Sequence, residues 1–234
     1  MSRLRPPSVL SAAFESLTPL ELARLPLALP RLAGLPRGDG RPVLLFPGYS
    51  GDDRSTLALR AVLRGLGHDA RGWGLGRNVG DVEARIFEVA EMVERTAERL
   101  GEPVALVGWS LGGYLAREAA RERPDAVTRV ITLGSPIAGG PKYTQLAPLY
   151  RARGADLDEI EAKILEREAV RLQVPVTVLY SRLDGVVQWR ACVDEREPLA
   201  ENVEVRTTHL GFGFSAEVYG IIAERLAAPV RAAA

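Results

Sequence analysis

Val104-Ala105-Leu106-Val107-Gly108-Trp109-Ser110-Leu111-Gly112-Gly113 is the stretch on which the reading of this chain turns. Residues 104–107 are uninterrupted apolar side chains, the pattern of a strand buried on both faces. Residues 111–122 carry helical periodicity and end before Pro124. Between them lies G-x-S-x-G. A chain that leaves a strand and enters a helix within so few residues must turn sharply, and the turn lifts the central side chain clear of the backbone. Glycine stands two before and two after Ser110 because the limbs of such a turn leave no room for Cβ atoms. Gly113 lets the helix pack close to the sheet.

The same alternation continues on either side. Residues 43–46, 69–73, 127–133, 176–180 and 203–206 read as strands, and 54–66, 81–100, 156–171 and 215–228 as helices. Residues 137–155 read as irregular. Strands that are apolar throughout and alternate with helices imply an α/β fold, with a mostly parallel sheet of about six strands covered by helices on both faces. Crossovers in such a sheet are right-handed, and ligands bind at the carboxyl ends of the strands. The loops 47–53, 74–80, 108–112, 134–156, 181–188 and 207–214 are therefore where a site is expected.

With 234 residues, one domain core is expected over residues 41–234, preceded by a proline-broken extension of short helices over residues 1–40 packed against it. Lys and Arg number 30 and so do Asp and Glu, so no basic excess points to nucleic acid or an anionic membrane. No apolar run is long enough to span a bilayer, and the N-terminus is broken by Pro6, Pro7 and Glu15, unlike a signal-peptide core. A membrane-touching role for residues 8–35 is the minority reading of their scattered Leu and Phe14. A lone cysteine, Cys192, reads as apolar filler and gives no disulfide, in keeping with a cytoplasmic location. No Cys/His/carboxylate cluster has metal-ligand spacing, and no cofactor is expected.

A serine hydroxyl attacks a carbonyl only with a base in reach and a group that orients the base. The chain has two histidines. His68 precedes a strand, on the wrong rim for Ser110, and reads as a solvated loop residue. His209 follows the last strand, on the same rim as Ser110. Asp184, after the strand ending at Tyr180, is the acid whose position in the order Ser110, Asp184, His209 fits this kind of turn. Asp184 with Gly185 is also a common turn pair. Asp194 and Glu195 are fallback acids in a stretch that reads as solvated. The backbone N–H groups of Leu111 and Tyr49 are expected to hold a developing oxyanion. Trp109 and Phe212 are expected to bind substrate, amid Leu111, Tyr114 and Ile137, with Trp73 and Asn78 as further lining candidates.

Pro47-Gly48-Tyr49, residues 108–113, Asp184 and His209 together resemble the α/β-hydrolase superfamily, in particular its small serine esterases and lipases. The resemblance spans residues 41–228 and implies the α/β-hydrolase fold in its minimal six-stranded form, with residues 137–171 in the place of a short cap. That family commonly has His-Gly after the first strand, where this chain has Pro47-Gly48. The expected activity is hydrolysis of a carboxylic ester, acyl or lipid-like, through an acyl-enzyme. A thioesterase or acyltransferase on the same residues, and a non-catalytic binding protein that keeps the fold, are the alternatives.

Overall fold

The computed structural model describes residues 4–229. Strands β1 (Pro42–Phe46), β2 (Asp69–Gly72), β3 (Val104–Trp109), β4 (Val127–Leu133), β5 (Val176–Tyr180) and β6 (Ala200–Glu204) form one sheet. Its order is β2-β1-β3-β4-β5-β6, and every pairing is parallel. From β1 the chain first steps outward to β2, then returns to place β3 on the other flank. The order therefore reverses between β1 and β3, the crevice in which such sheets bind ligands. Register brings the two strand ends level there, with Phe46 beside Gly108.

The helices are α1 (Val9–Ala12), α2 (Thr18–Ala33), α3 (Leu57–Gly65), α4 (Val82–Leu100), α5 (Leu111–Glu122), α6 (Ala147–Ala152), α7 (Leu157–Arg167), α8 (Trp189–Cys192) and α9 (Ala216–Ala227). Alternate strand residues point to opposite faces. Leu44, Phe46, Leu106, Val130 and Val178 meet Ile86, Val89 and Val93 of α4 and Leu115 and Ala119 of α5. Val43, Leu45, Val107, Ile131 and Leu179 meet Leu59 and Leu63 of α3 and Val218, Tyr219 and Ile222 of α9. Asp81 caps the start of α4, and Gly101, in the left-handed conformation, ends it.

Several elements differ from expectation. β6 lies at 200–204 rather than 203–206. It is a half-exposed edge strand, so its pairing residues are largely polar and an apolar run does not mark it. Residues 137–155, expected to be irregular, contain α6, which Pro148 opens from the first turn. In place of short proline-broken helices, α2 runs 16 residues through Pro26 and Pro30. Both prolines are exposed and lie four apart on one side, so the carbonyls they leave unpaired face water. Among the described residues no helix is long and apolar enough to cross a membrane.

Candidate active site

Ser110 sits between the last residue of β3 and the first of α5 at φ 54°, ψ −123°. This is a conformation that a side chain adopts at a cost of about 1–3 kcal/mol. Its hydroxyl makes no capping bond to the helix it precedes, so Oγ is not consumed locally. The glycines around it are steric requirements. A Cβ on Gly108 would lie 2.3 Å from Gly113 Cα, and one on Gly112 would lie 2.4 Å from the Phe46 carbonyl oxygen. One on Gly113 would lie 1.9 Å from Ser135 Oγ. Gly112→Ala is therefore expected to destabilise the fold by about 3 kcal/mol, because backbone rather than a flexible side chain stands in the way. Urea unfolding at constant m-value reads this, and a midpoint within error of wild type would contradict it.

His209 and Asp184 come together on the same rim. Nδ1 of His209 lies 2.7 Å from Asp184 Oδ2. The other carboxylate oxygen, Oδ1, accepts the N–H groups of Val186 at 2.9 Å and Val187 at 2.7 Å. Turn-making and imidazole-holding thus use different oxygens of one side chain. With Nδ1 donating to Asp184, Nε2 is left as the acceptor, and it has no partner among the described residues. Burial is the largest influence on this imidazole and opposes its charging. The charge of Asp184, its hydrogen bond and the charge of Glu15 outweigh that, so His209 protonates above its ordinary value.

Trp109 ties the serine turn to His209. Its indole N–H donates to the His209 carbonyl at 3.1 Å, and the two rings lie 6.3 Å apart. Trp109 also borders an apolar cavity of about 10 Å³ with Phe46, Thr56, Leu59 and Gly213, room for a single water. Phe212 is fully buried and stands edge-on behind the imidazole, at 6.4 Å between ring centres. It supports His209 from the core side. Tyr114 and Ile137 are likewise buried.

After β1, the loop bends through Ser50 at φ 62°. Asn78, with no exposed surface, holds it. Its side-chain N–H donates to Pro47 O at 2.9 Å, its backbone N–H to Gly51 O at 2.8 Å, and its carbonyl accepts from Ser50 N–H at 2.7 Å. The N–H groups of Tyr49 and Leu111 have no acceptor among the described residues. A Cβ on Gly48 would lie 3.3 Å from Ser110 Cβ, so this loop runs against the serine turn. The end of α6 reaches the same place: Arg153 donates to Tyr49 Oη at 2.7 Å, and the Tyr49 and Tyr150 rings lie 6.2 Å apart.

Five expectations need correction. Phe212, expected to bind substrate, has no exposed surface and backs His209 from the core instead. Trp73 is 2% exposed and packs edge-on against Phe46, so it is core rather than pocket lining. Asn78 braces the loop and presents no surface for lining. His68 is buried rather than solvated, beneath Gly38, and burial holds it below its ordinary pKa. Asp194 is buried too, paired with Arg117 at 2.7 Å, which leaves it no part in orienting His209. Glu195 is exposed as expected. Glu15 and Glu21 were not anticipated at all: both reach the His209 loop from the N-terminal segment. No motif marks either one, because their partners are backbone N–H groups and a threonine hydroxyl 170 to 195 residues away.

Comparison with known proteins agrees with the fold. Over 201 residues the chain is 26% identical to the palmitoyl-protein thioesterase ABHD10, mitochondrial, of Bos taurus, an alignment covering 71% of this chain and 63% of that one. It is 31% identical over 118 residues to the pimeloyl-(acyl-carrier protein) methyl ester esterase of Sodalis glossinidius, covering 50% of this chain and 39% of the relative. The chain thus spans less than two thirds of the length of these relatives. Among solved structures, the mature lipase BlEst2 of Bacillus licheniformis superposes with a TM-score of 0.63 at 18% identity, covering 82% of this chain and 94% of that one. The profile of the alpha/beta hydrolase family matches residues 43–215. With that match over most of its length, on a six-stranded parallel sheet, the chain belongs to the alpha/beta hydrolase family.

Proposed function

We propose that this protein is a serine-dependent hydrolase of carboxylic esters that works through an acyl-enzyme. The observation that carries the reading is the buried His209–Asp184 pair, at 2.7 Å, on the rim where the strained Ser110 turn stands. A solvated histidine pair would not constrain a tautomer; this one leaves Nε2 as the lone-pair site facing outward from the carboxylate.

In this reading, Ser110 Oγ forms a bond to the acyl carbon as its proton passes to His209 Nε2. The carbonyl oxygen becomes an oxyanion, received by the N–H groups of Leu111 and Tyr49. The C–O bond to the alcohol breaks as the imidazolium returns the proton to the leaving oxygen. Water repeats the sequence on the acyl-enzyme, releasing the acid and restoring the serine. Asp184 stays ionised and stabilises the imidazolium. A lost oxyanion donor of this type costs about 3 kcal/mol of transition-state stabilisation. That is why the bracing of the Tyr49 loop by Asn78 belongs to the chemistry and not only to the fold. The relatives include a thioesterase and a methyl ester esterase, whose acyl-transfer reactions one serine and one oxyanion site can serve.

A fluorophosphonate probe tests this directly. Incubation at neutral pH is expected to give one stoichiometric adduct, located by peptide mass spectrometry at Ser110, and to extinguish turnover of p-nitrophenyl esters in parallel. A panel from acetate to dodecanoate, with an acyl thioester beside it, then sets acyl length and leaving group. An adduct elsewhere, or none with esters still turned over, would overturn the assignment.

A further inference from the structure

One carboxylate outside the proposed triad gathers three backbone N–H groups. Glu15 lies in the short helical turn Ala13–Leu17. Its Oε1 accepts from Gly185 at 2.9 Å and from His209 at 2.8 Å, and its Oε2 accepts from Leu210 at 3.0 Å. Gly185 is the neighbour of Asp184. A single side chain therefore bridges the turn that carries the acid and the turn that carries the base. Glu21, early in α2, holds the residues just before His209. Its Oε1 accepts from Thr208 N–H at 2.9 Å, and its Oε2 accepts from the Thr207 hydroxyl. The Thr18 and Thr208 hydroxyls pair at 2.7 Å beside them.

The segment that brings these acids is built the wrong way round for ordinary core packing. Phe14, Leu17 and Leu20 are 41%, 45% and 48% exposed, while Glu15, Thr18 and Glu21 face inward. Apolar burial does not seat this segment here; charge-assisted hydrogen bonds do. Its approach to the backbone is close. A Cβ on Gly185 would lie 2.5 Å from the Ser11 carbonyl oxygen, and one on Gly211 would lie 2.4 Å from Glu21 Oε2.

We propose that Glu15 and Glu21 are positioning residues, an acidic strap from the N-terminal segment that locks the Asp184 and His209 turns into register for proton transfer. The proposal rests on the triad reading given above. An imidazole moved by 1 Å relative to the serine loses about 100-fold in rate, and apart from the strap the two turns are joined by the His209–Asp184 bond and a long bond, 3.4 Å, from the Thr207 N–H to Ser181 Oγ. The charged groups facing His209 are Asp184, from the β5 loop, and Glu15, from the strap. Trp109 and Phe212, packed on its other sides, are neutral. Removing the Glu15 charge therefore makes His209 easier to deprotonate, and the acid limb of kcat/KM moves to lower pH.

The test compares wild type with Glu15→Gln, Glu15→Ala and Glu21→Gln on p-nitrophenyl butyrate, with active sites counted by fluorophosphonate titration so that unfolded protein does not enter the rates. Glu15→Gln is expected to lower kcat about 10-fold and Glu15→Ala about 100-fold at near-constant KM, the range found when a supporting group behind a catalytic or metal-binding histidine is removed. Both variants are expected to shift the acid limb downward, which a merely structural role would not do. Amide exchange of Gly185, His209 and Leu210 should accelerate in Glu15→Ala. A per-site kcat and acid limb equal to wild type would overturn the strap, with Ser110 still required for turnover. Turnover surviving Ser110→Ala would instead overturn the triad reading. Exchange then decides the strap alone, because unchanged protection in Glu15→Ala refutes it without any assay of activity.

Discussion

Ser110→Ala is expected to lower kcat for carboxylic esters by about five to six orders of magnitude while leaving the protein folded. The loss is large because no other group can substitute. Cys192 is completely buried, and burial first, then the charge of Asp184, pushes its thiol well above the ordinary range. It therefore offers neither a thiolate nor access. The remaining acceleration, about 10³–10⁴ over water, would come from binding and from the oxyanion donors at Leu111 and Tyr49. Stability should hardly move, since Ser110 Oγ caps nothing and an alanine Cβ occupies the place of the serine Cβ. A melting temperature within about 2 °C of wild type follows. Ser110→Gly supplies the control. It is expected to be equally inactive but no less stable, because glycine meets no steric cost at φ 54° and relieves the strain that serine bears there. Matched kinetics and calorimetry on the three proteins check all of this. Turnover in Ser110→Ala within tenfold of wild type would remove the serine from the mechanism.

How far the sequence reaches is visible in particular residues. Residues 104–113 are legible because their constraints are local: a strand end, a helix start and three glycines each barred from carrying a Cβ by atoms of the same turn or its neighbour. His209 is legible by elimination, there being two histidines and one correct rim. Asp184 is legible from its place after β5. The edge strand β6 is read three residues late because half-exposed pairing leaves a polar sequence. Asp194 and His68 read as solvated because polarity is visible in sequence and burial is not; what buries Asp194 is an arginine 77 positions earlier, on α5. Glu15 and Glu21 are the clearest case. An acid in a leucine-rich, proline-interrupted segment looks like solvated surface, and only tertiary structure shows it facing inward while Leu17 and Leu20 face out.

Asp184→Asn should cost about four orders of magnitude in kcat, nearly as much as loss of the serine, despite being almost isosteric. The reason lies in how the side chain is pinned. Its Oδ1 accepts from the N–H groups of Val186 and Val187, and an asparagine must keep its carbonyl oxygen there, because an NH₂ group would face two donors. The amide N–H is then aimed at His209 Nδ1. That nitrogen must accept, so the imidazole proton moves to Nε2, and the base can no longer take the proton of Ser110. The same change reverses the linkage between pH and stability. In wild type, the folded-state pKa of His209 is raised, chiefly by Asp184 acting against burial. Its contribution is therefore fully present below the unfolded value, about 6.5, and is lost as pH rises through the folded value. In the variant, burial is left nearly unopposed and folding disfavours the charged ring, so stability falls as pH drops through the unfolded value. The gap in melting temperature between the two proteins should consequently be wider at pH 5.5 than at pH 9. A constant gap across that range, or a kcat loss under tenfold, would mean that Asp184 holds its own turn and nothing more.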